Sequence, residues 1–129
     1  MAIHPTAVIA PSARIGRDVH IGPYSVIGED TVIGDDCWID AHVKISDQTT
    51  LGPRCRVYFG ALIGEEPQDH RFRPGTACEG GTPSVGGRTL LMAFVHVGHD
   101  ARIGSRVTVA NQTAISGHVI IEDGAVLSG

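Results

Sequence analysis

The chain is 129 residues long, about one domain, and is 42% hydrophobic but only 5% aromatic, so its core has to be assembled from small and branched aliphatic side chains. Seventeen glycines and seven prolines demand frequent turns, yet the apolar content is too high for a disordered chain. The net charge of −4, with no basic stripe, argues against a nucleic-acid partner.

The start, Met1-Ala2-Ile3-His4-Pro5, lacks the basic and apolar regions of a signal peptide. No apolar run approaches the roughly 20 residues of a membrane helix, so a soluble cytoplasmic protein without a transmembrane segment is expected. From Ile3, counting in sixes meets Ile, Leu or Val at eleven successive positions, ending at Val57 and Ile63. Glycine follows the aliphatic at 16, 22, 28, 34, 52 and 64, and four residues after it the side chain stays small or β-branched, as at Ala7, Ser25, Thr31 and Cys55. Cys37, Cys55 and Cys78 are an odd number without CxxC spacing, against both a disulfide framework and a thiolate zinc site.

A period of six fits neither a helix nor one long strand, but it fits short strands joined by corners, each side of a prism taking six residues. The aliphatic points inward, glycine takes the close or positive-φ backbone position at the turn, and the small residue fills the remaining interior. This pattern resembles the hexapeptide-repeat family. The resemblance implies an all-β fold, a left-handed parallel β-helix with three hexads per coil and about five to six coils, and a homotrimer. The chain then reads as one domain over 1–129, with a first repeat block at 3–63.

From 64 to 90 the hexad fails. Gly64-Glu65-Glu66-Pro67-Gln68-Asp69-His70-Arg71 is polar and charged, and Thr76 to Gly87 is rich in Gly, Thr and Ser, so a long loop insertion is expected here. The second block, 91–129, runs Leu91, Val97, Ile103, Val109, Ile115, Ile121, Leu127 in a new phase. It holds three of the seven histidines, in Val95-His96-Val97-Gly98-His99-Asp100 and Ser116-Gly117-His118. With Val95 and Val97 inward, His96 points outward by strand alternation, and His99 and Asp100 follow Gly98 at a corner. One coil on, position 117 stacks over 99 and brings His118 near. His4 and His20 read as surface residues, and His42 as a solvent-facing structural one. Three clustered histidines suit exposed corners, a metal site or a general base, and spacing leaves the choice open.

The motifs Ile63-Gly64-Glu65-Glu66-Pro67-Gln68-Asp69, Leu90-Leu91-Met92-Ala93-Phe94-Val95-His96-Val97-Gly98-His99-Asp100, Ala110-Asn111 and Gly117-His118 closely resemble one branch of the family, as do His4-Pro5-Thr6-Ala7 and His20-Ile21-Gly22-Pro23. That branch is the acyl-[acyl carrier protein]:UDP-N-acetylglucosamine O-acyltransferases, which begin lipid A synthesis. The resemblance implies transfer of an (R)-3-hydroxyacyl group from acyl carrier protein to the glucosamine 3-hydroxyl. It makes His99 the general base, Asp100 the carboxylate that orients it, and the Gly117 N–H an oxyanion donor. It places His96 and His118 at the sugar-nucleotide site and Gln68 and Asp69 in a substrate-contacting loop. Arg71 stands where the family commonly has Lys, a change of phosphate geometry at constant charge. It implies no metal, cofactor or covalent acyl-enzyme.

Two departures follow. The family carries about one further coil between its Gln-Asp loop and the Leu-Leu-Met segment. It also continues beyond the position of Gly129 with more coils and a helical C-terminal domain that measures the acyl chain, so a shortened member is expected. Two other functions compete. One is a non-catalytic β-helical fragment or paralogue. The other is a zinc-dependent carbonic anhydrase of the hexapeptide fold, whose ligands are generally separated by four residues where His96 and His99 have two between them.

Overall fold

The computed structural model describes residues 2–64 and 82–128. Among these, the regular elements are nineteen strands of two residues each, from Ala2–Ile3 to Val126–Leu127, and none is a helix long and apolar enough to cross a membrane. Each strand ends on the aliphatic of a hexad. All pairings are parallel and form one sheet of seven strands and two of six, the three faces of a prism about six coils high. The first face begins at Ala2–Ile3, the second at Val8–Ile9 and the third at Arg14–Ile15.

Identical positions align from coil to coil. Ile21 pairs with Ile39, Ile39 with Val57, Val57 with Leu91 and Leu91 with Val109. All five are fully buried, as are the small partners Val19, Ser25, Thr31, Cys55 and Val95. A ladder of like aliphatics fills the prism because its interior is narrow, and burial of each is worth about 1.5–3 kcal/mol. Polar members of the small position are neutralised locally: Ser25 Oγ donates to the Asp40 carbonyl at 2.6 Å and Thr89 Oγ1 to that of Gly104 at 2.9 Å. The thiols of Cys37 and Cys55 donate to the carbonyls of Gly52 and Gly86, both at 3.1 Å, and the neighbouring Cys37 thiol, with burial second, pushes the Cys55 thiol up.

Two expectations need correction. The insertion does not extend to 90. Strand Ser84–Val85 pairs with Thr50–Leu51 below and Arg102–Ile103 above, Val85 is buried, and Thr89 occupies the small position. The second block therefore begins one hexad earlier, at Val85. Glycine-rich flanks concealed it, since Ser-Val-Gly-Gly-Arg-Thr reads locally as a linker.

The second correction concerns the corners. The glycine after the aliphatic is there for close approach: a Cβ on Gly34 would stand 2.6 Å from the Pro53 nitrogen of the next coil. Apart from Gly64 (78°), positive φ falls two residues later, and mostly on other residue types, among them Asp36 (60°), Arg54 (57°), Phe94 (58°) and Gln112 (61°). This left-handed conformation costs a non-glycine residue about 1–2 kcal/mol. Its amide is satisfied across coils, from Asp36 to the Arg17 carbonyl and from Arg54 to that of Asp35, both at 2.8 Å. The amide just before it is often taken by an Asp or Asn one coil on, as Arg17 N–H donates to Asp35 Oδ1 and Glu29 N–H to Asp47 Oδ1, both at 2.8 Å.

These roles predict opposite outcomes for two substitutions. Gly34→Ala should cost about 1–3 kcal/mol by forcing the coils apart. Arg54→Gly should leave stability unchanged or raise it by up to about 1 kcal/mol. Thermal denaturation of both variants checks the assignment, and reversed signs would refute it.

Candidate active site

His96 closes the strand-to-corner sequence that builds the site. Strand His96–Val97 lies on the second face between Leu62–Ile63 and Ala114–Ile115. Val97 faces in and is fully buried, so His96 faces out as alternation requires. Its Nε2 is nonetheless buried, with no hydrogen-bond partner among the described residues. A buried imidazole nitrogen left unpaired costs desolvation energy that an arriving polar group would recover.

The chain then turns at Gly98 into the corner between the second and third faces. A Cβ on Gly98 would lie 2.5 Å from the Gly117 nitrogen, so the two coils are in contact at this edge. Asp100 and His118 both take the left-handed corner position, with φ of 56° and 64°, and therefore stack one above the other. The His118 amide donates to the His99 carbonyl at 2.9 Å, locking the coils in register.

Asp100 Oδ2 is the hub. It stands 3.4 Å from His99 Nδ1 and 3.7 Å from His118 Nε2. The Asp100 side chain is 1% exposed, against 26% for His99 and 56% for His118, so the carboxylate is sunk beneath two reachable imidazoles. The rings meet edge-on, with centroids 4.9 Å apart and an interplanar angle of 88°. An N–H on His99 Nδ1 faces the carboxylate, which leaves the lone pair on Nε2. The arrangement can therefore accept a proton from a ligand while the far side of the ring is held, and its His-Asp-His donors could also hold a metal ion.

Gly117 has a steric reason for its identity. A Cβ there would overlap Nε2, Cε1 and Cδ2 of His99. Elsewhere the same corner position carries an Asp or Asn whose oxygen accepts the amide one coil below, as at Asp47 and Asp123. With glycine at 117 the imidazole of His99 occupies that space. Among the described residues, no acceptor takes the backbone N–H of His99 or of Gly117.

Position thus unites His99, Asp100, Gly117 and His118 as expected, with His96 one strand away on the adjoining face. Gln68, Asp69 and Arg71 lie outside the described residues. Gly64, where description stops, pairs with the site's edge: its amide donates to the Val97 carbonyl at 2.8 Å, and that of Ser84 donates to Ala101 at 3.1 Å just after description resumes. The other described histidines stand apart. His4 is exposed, His20 stacks on Trp38 at 5.6 Å, and His42 sits between Tyr24 at 5.3 Å and Phe59 at 5.4 Å.

Two features escaped the sequence reading. One is the His118–Asp100 contact. The other is a column of exposed rings along the corner between the first and second faces, running Tyr24, His42, Phe59, Phe94. Its signal was present, since Tyr24, His42 and Phe94 each stand three residues after a core aliphatic.

Comparison with known proteins finds relatives along nearly the whole chain. The family described as Bacterial transferase hexapeptide (six repeats) matches residues 30–65. An acyl-[acyl-carrier-protein]--UDP-N-acetylglucosamine O-acyltransferase of Sinorhizobium fredii is 37% identical over 148 residues, covering 98% of this chain and 55% of the relative. That alignment is longer than the chain itself, so the relative carries residues within the aligned stretch that have no counterpart here. Among solved structures, the UDP-N-acetylglucosamine acyltransferase of Francisella novicida superposes with a TM-score of 0.76 at 35% identity, over 96% of this chain and 53% of that one. That of Bacteroides fragilis gives 0.74 at 37%, over 95% and 56%. The chain spans about half the length of the relatives it matches.

Gly117→Ala should displace the His99 ring while leaving other coils unchanged. In a histidine-selective ¹⁵N NMR spectrum, the signals of His99 and His118 should move and those of His4 and His20 should not. An unperturbed His99 signal would mean that its ring does not lie against Gly117.

Proposed function

We propose, for a hexapeptide-repeat chain related along nearly its whole length to UDP-N-acetylglucosamine O-acyltransferases, that the His99–Asp100–His118 edge is an acyl-transfer site. The single observation that carries the proposal is the imidazole of His99, backed by the buried Asp100 carboxylate and given room by Gly117. A (R)-3-hydroxyacyl group is moved from acyl carrier protein to the glucosamine 3-hydroxyl of UDP-N-acetylglucosamine, the step that begins lipid A synthesis in the family this chain resembles.

The geometry suits that reaction as follows. His99 Nε2 takes the proton of the attacking hydroxyl as its oxygen bonds to the thioester carbonyl carbon. Asp100 receives the Nδ1–H and offsets the charge gained by the ring; its 3.4 Å separation is of the loose kind that tightens when the ring is protonated. The carbonyl oxygen becomes an oxyanion facing the Gly117 N–H, which has no acceptor among the described residues and is a donor of a type worth about 2.7–4 kcal/mol elsewhere. Collapse of the intermediate breaks the carbon–sulfur bond, and the proton on His99 passes to the departing thiolate. No metal or covalent acyl-enzyme takes part.

His96 and His118 are assigned to the sugar nucleotide, the former because its buried Nε2 is left for a ligand to satisfy. Gln68, Asp69 and Arg71 are assigned to substrate on the resemblance alone. A homotrimer is part of the proposal, and the exposed column of Tyr24, Phe59 and Phe94 gives it apolar surface to cover.

The alternative that experiment must separate is a β-helical scaffold without activity. UDP-N-acetylglucosamine should raise the unfolding temperature of the acyltransferase and leave that of a scaffold unchanged. The direct test is transfer of a radiolabelled (R)-3-hydroxyacyl group from acyl carrier protein. His99→Ala should reduce the rate by about 10²–10⁴-fold with the fold intact. A correctly folded parent chain with neither transfer nor sugar-nucleotide binding would refute the proposal.

A further inference from the structure

We propose that His99, Asp100 and His118 also form a binding site for a divalent transition-metal ion, zinc foremost, and that an ion bound there silences His99 as a proton acceptor. The donors His99 Nδ1, Asp100 Oδ2 and His118 Nε2 all lie within 4.8 Å of one another and converge from two successive coils. The two separations from the carboxylate, 3.4 and 3.7 Å, are longer than the roughly 2.7–3.2 Å of a settled N–H···O bond. They are close to the edge of a tetrahedron whose centre lies about 2.0–2.1 Å from nitrogen and oxygen, an edge of about 3.3 Å. An ion at the centre requires the two imidazoles to swing toward each other, and His118, the more exposed of the two, has the freedom to do so.

Charge points the same way. The Asp100 side chain is almost entirely buried, and its ion-pair partners among the described residues are two histidines, which balance its charge only when protonated. A buried carboxylate without a permanent cation is costly, and a divalent ion removes that cost. Two imidazoles and one carboxylate form a set that zinc accepts with a position left open for water or an anion. The exposed side of His118 provides that opening.

The consequence for chemistry follows from the imidazole. A metal on Nδ1 displaces the proton directed at Asp100, and the neutral ring then carries its hydrogen on Nε2, with no lone pair left to accept another. Metal and proton acceptance exclude one another. Binding is a property of the cluster alone, whereas the silencing rests on the base role proposed for His99.

The test uses the tag-free full chain, freed of metal by chelation. Titration calorimetry with zinc should find one ion per chain, and cobalt(II) should give the visible absorption of a four-coordinate site. His118→Gln and Asp100→Asn, both close in volume to the parent, should weaken zinc binding by about a hundredfold, while His42→Gln should leave it unchanged. Absence of stoichiometric binding, or binding that survives both site substitutions or is lost equally in His42→Gln, overturns the site. Zinc should abolish acyl transfer reversibly, and full transfer by zinc-loaded protein overturns the silencing. Zinc binding by a chain that shows no transfer even when metal-free would count against the acyltransferase reading and leave the metal site standing.

Discussion

Within each block of the repeat a side chain lies against the one 18 residues away, and across the break against the one 34 residues away, because parallel coils stack in register and their glycine contacts permit no slip. A β-strand displaced by one residue would turn its core aliphatic to solvent. The repeat therefore fixes the interior and also brings together exposed groups far apart in sequence. The Arg17–Asp35 pair at 3.3 Å, the rings of Tyr24 and His42, and the His99–Asp100–His118 edge are all products of the same stacking. At Asp35 the neighbouring Arg17 holds the carboxyl below its usual range, so that contact weakens as pH falls toward the carboxylate range.

Stacking also explains why the site occurs where it does. At four corners the amide is occupied by an Asp or Asn one coil on, which seals the edge there. At Gly117 that side chain is missing, and a histidine fills the space in place of a carboxylate. A structural hydrogen bond has been exchanged for an imidazole, beside two amides that have no acceptor among the described residues. Local departure from the repeat's own rule is what a functional site on a regular scaffold looks like.

The fold was legible because the core ladder repeats strictly from Ile3 to Ile63 and again from Leu91. Val85 was missed since one hexad between glycine-rich flanks carries too little periodicity to stand out. Of the two corner roles the sequence left open for glycine, close approach or positive φ, the structure mostly selects close approach, and it places Asp, Arg, Phe and Gln in the left-handed conformation with their amides satisfied across coils. Inter-coil bonds of this kind cannot be read from a single hexad. The proximity of His99 and His118 followed from counting coils. The sharing of one carboxylate oxygen did not, since it depends on side-chain rotation, and neither did the buried nitrogen of His96, which depends on what packs around it.

The central claim is that His99 Nε2 is the atom that receives the substrate proton while Asp100 holds the opposite side of the ring. A crystal structure of the chain with UDP-N-acetylglucosamine tests it most directly. The account predicts the glucosamine 3-hydroxyl within about 3 Å of His99 Nε2, with Nδ1 still turned to Asp100. A sugar nucleotide bound with that hydroxyl against another group, or away from this edge altogether, would contradict it.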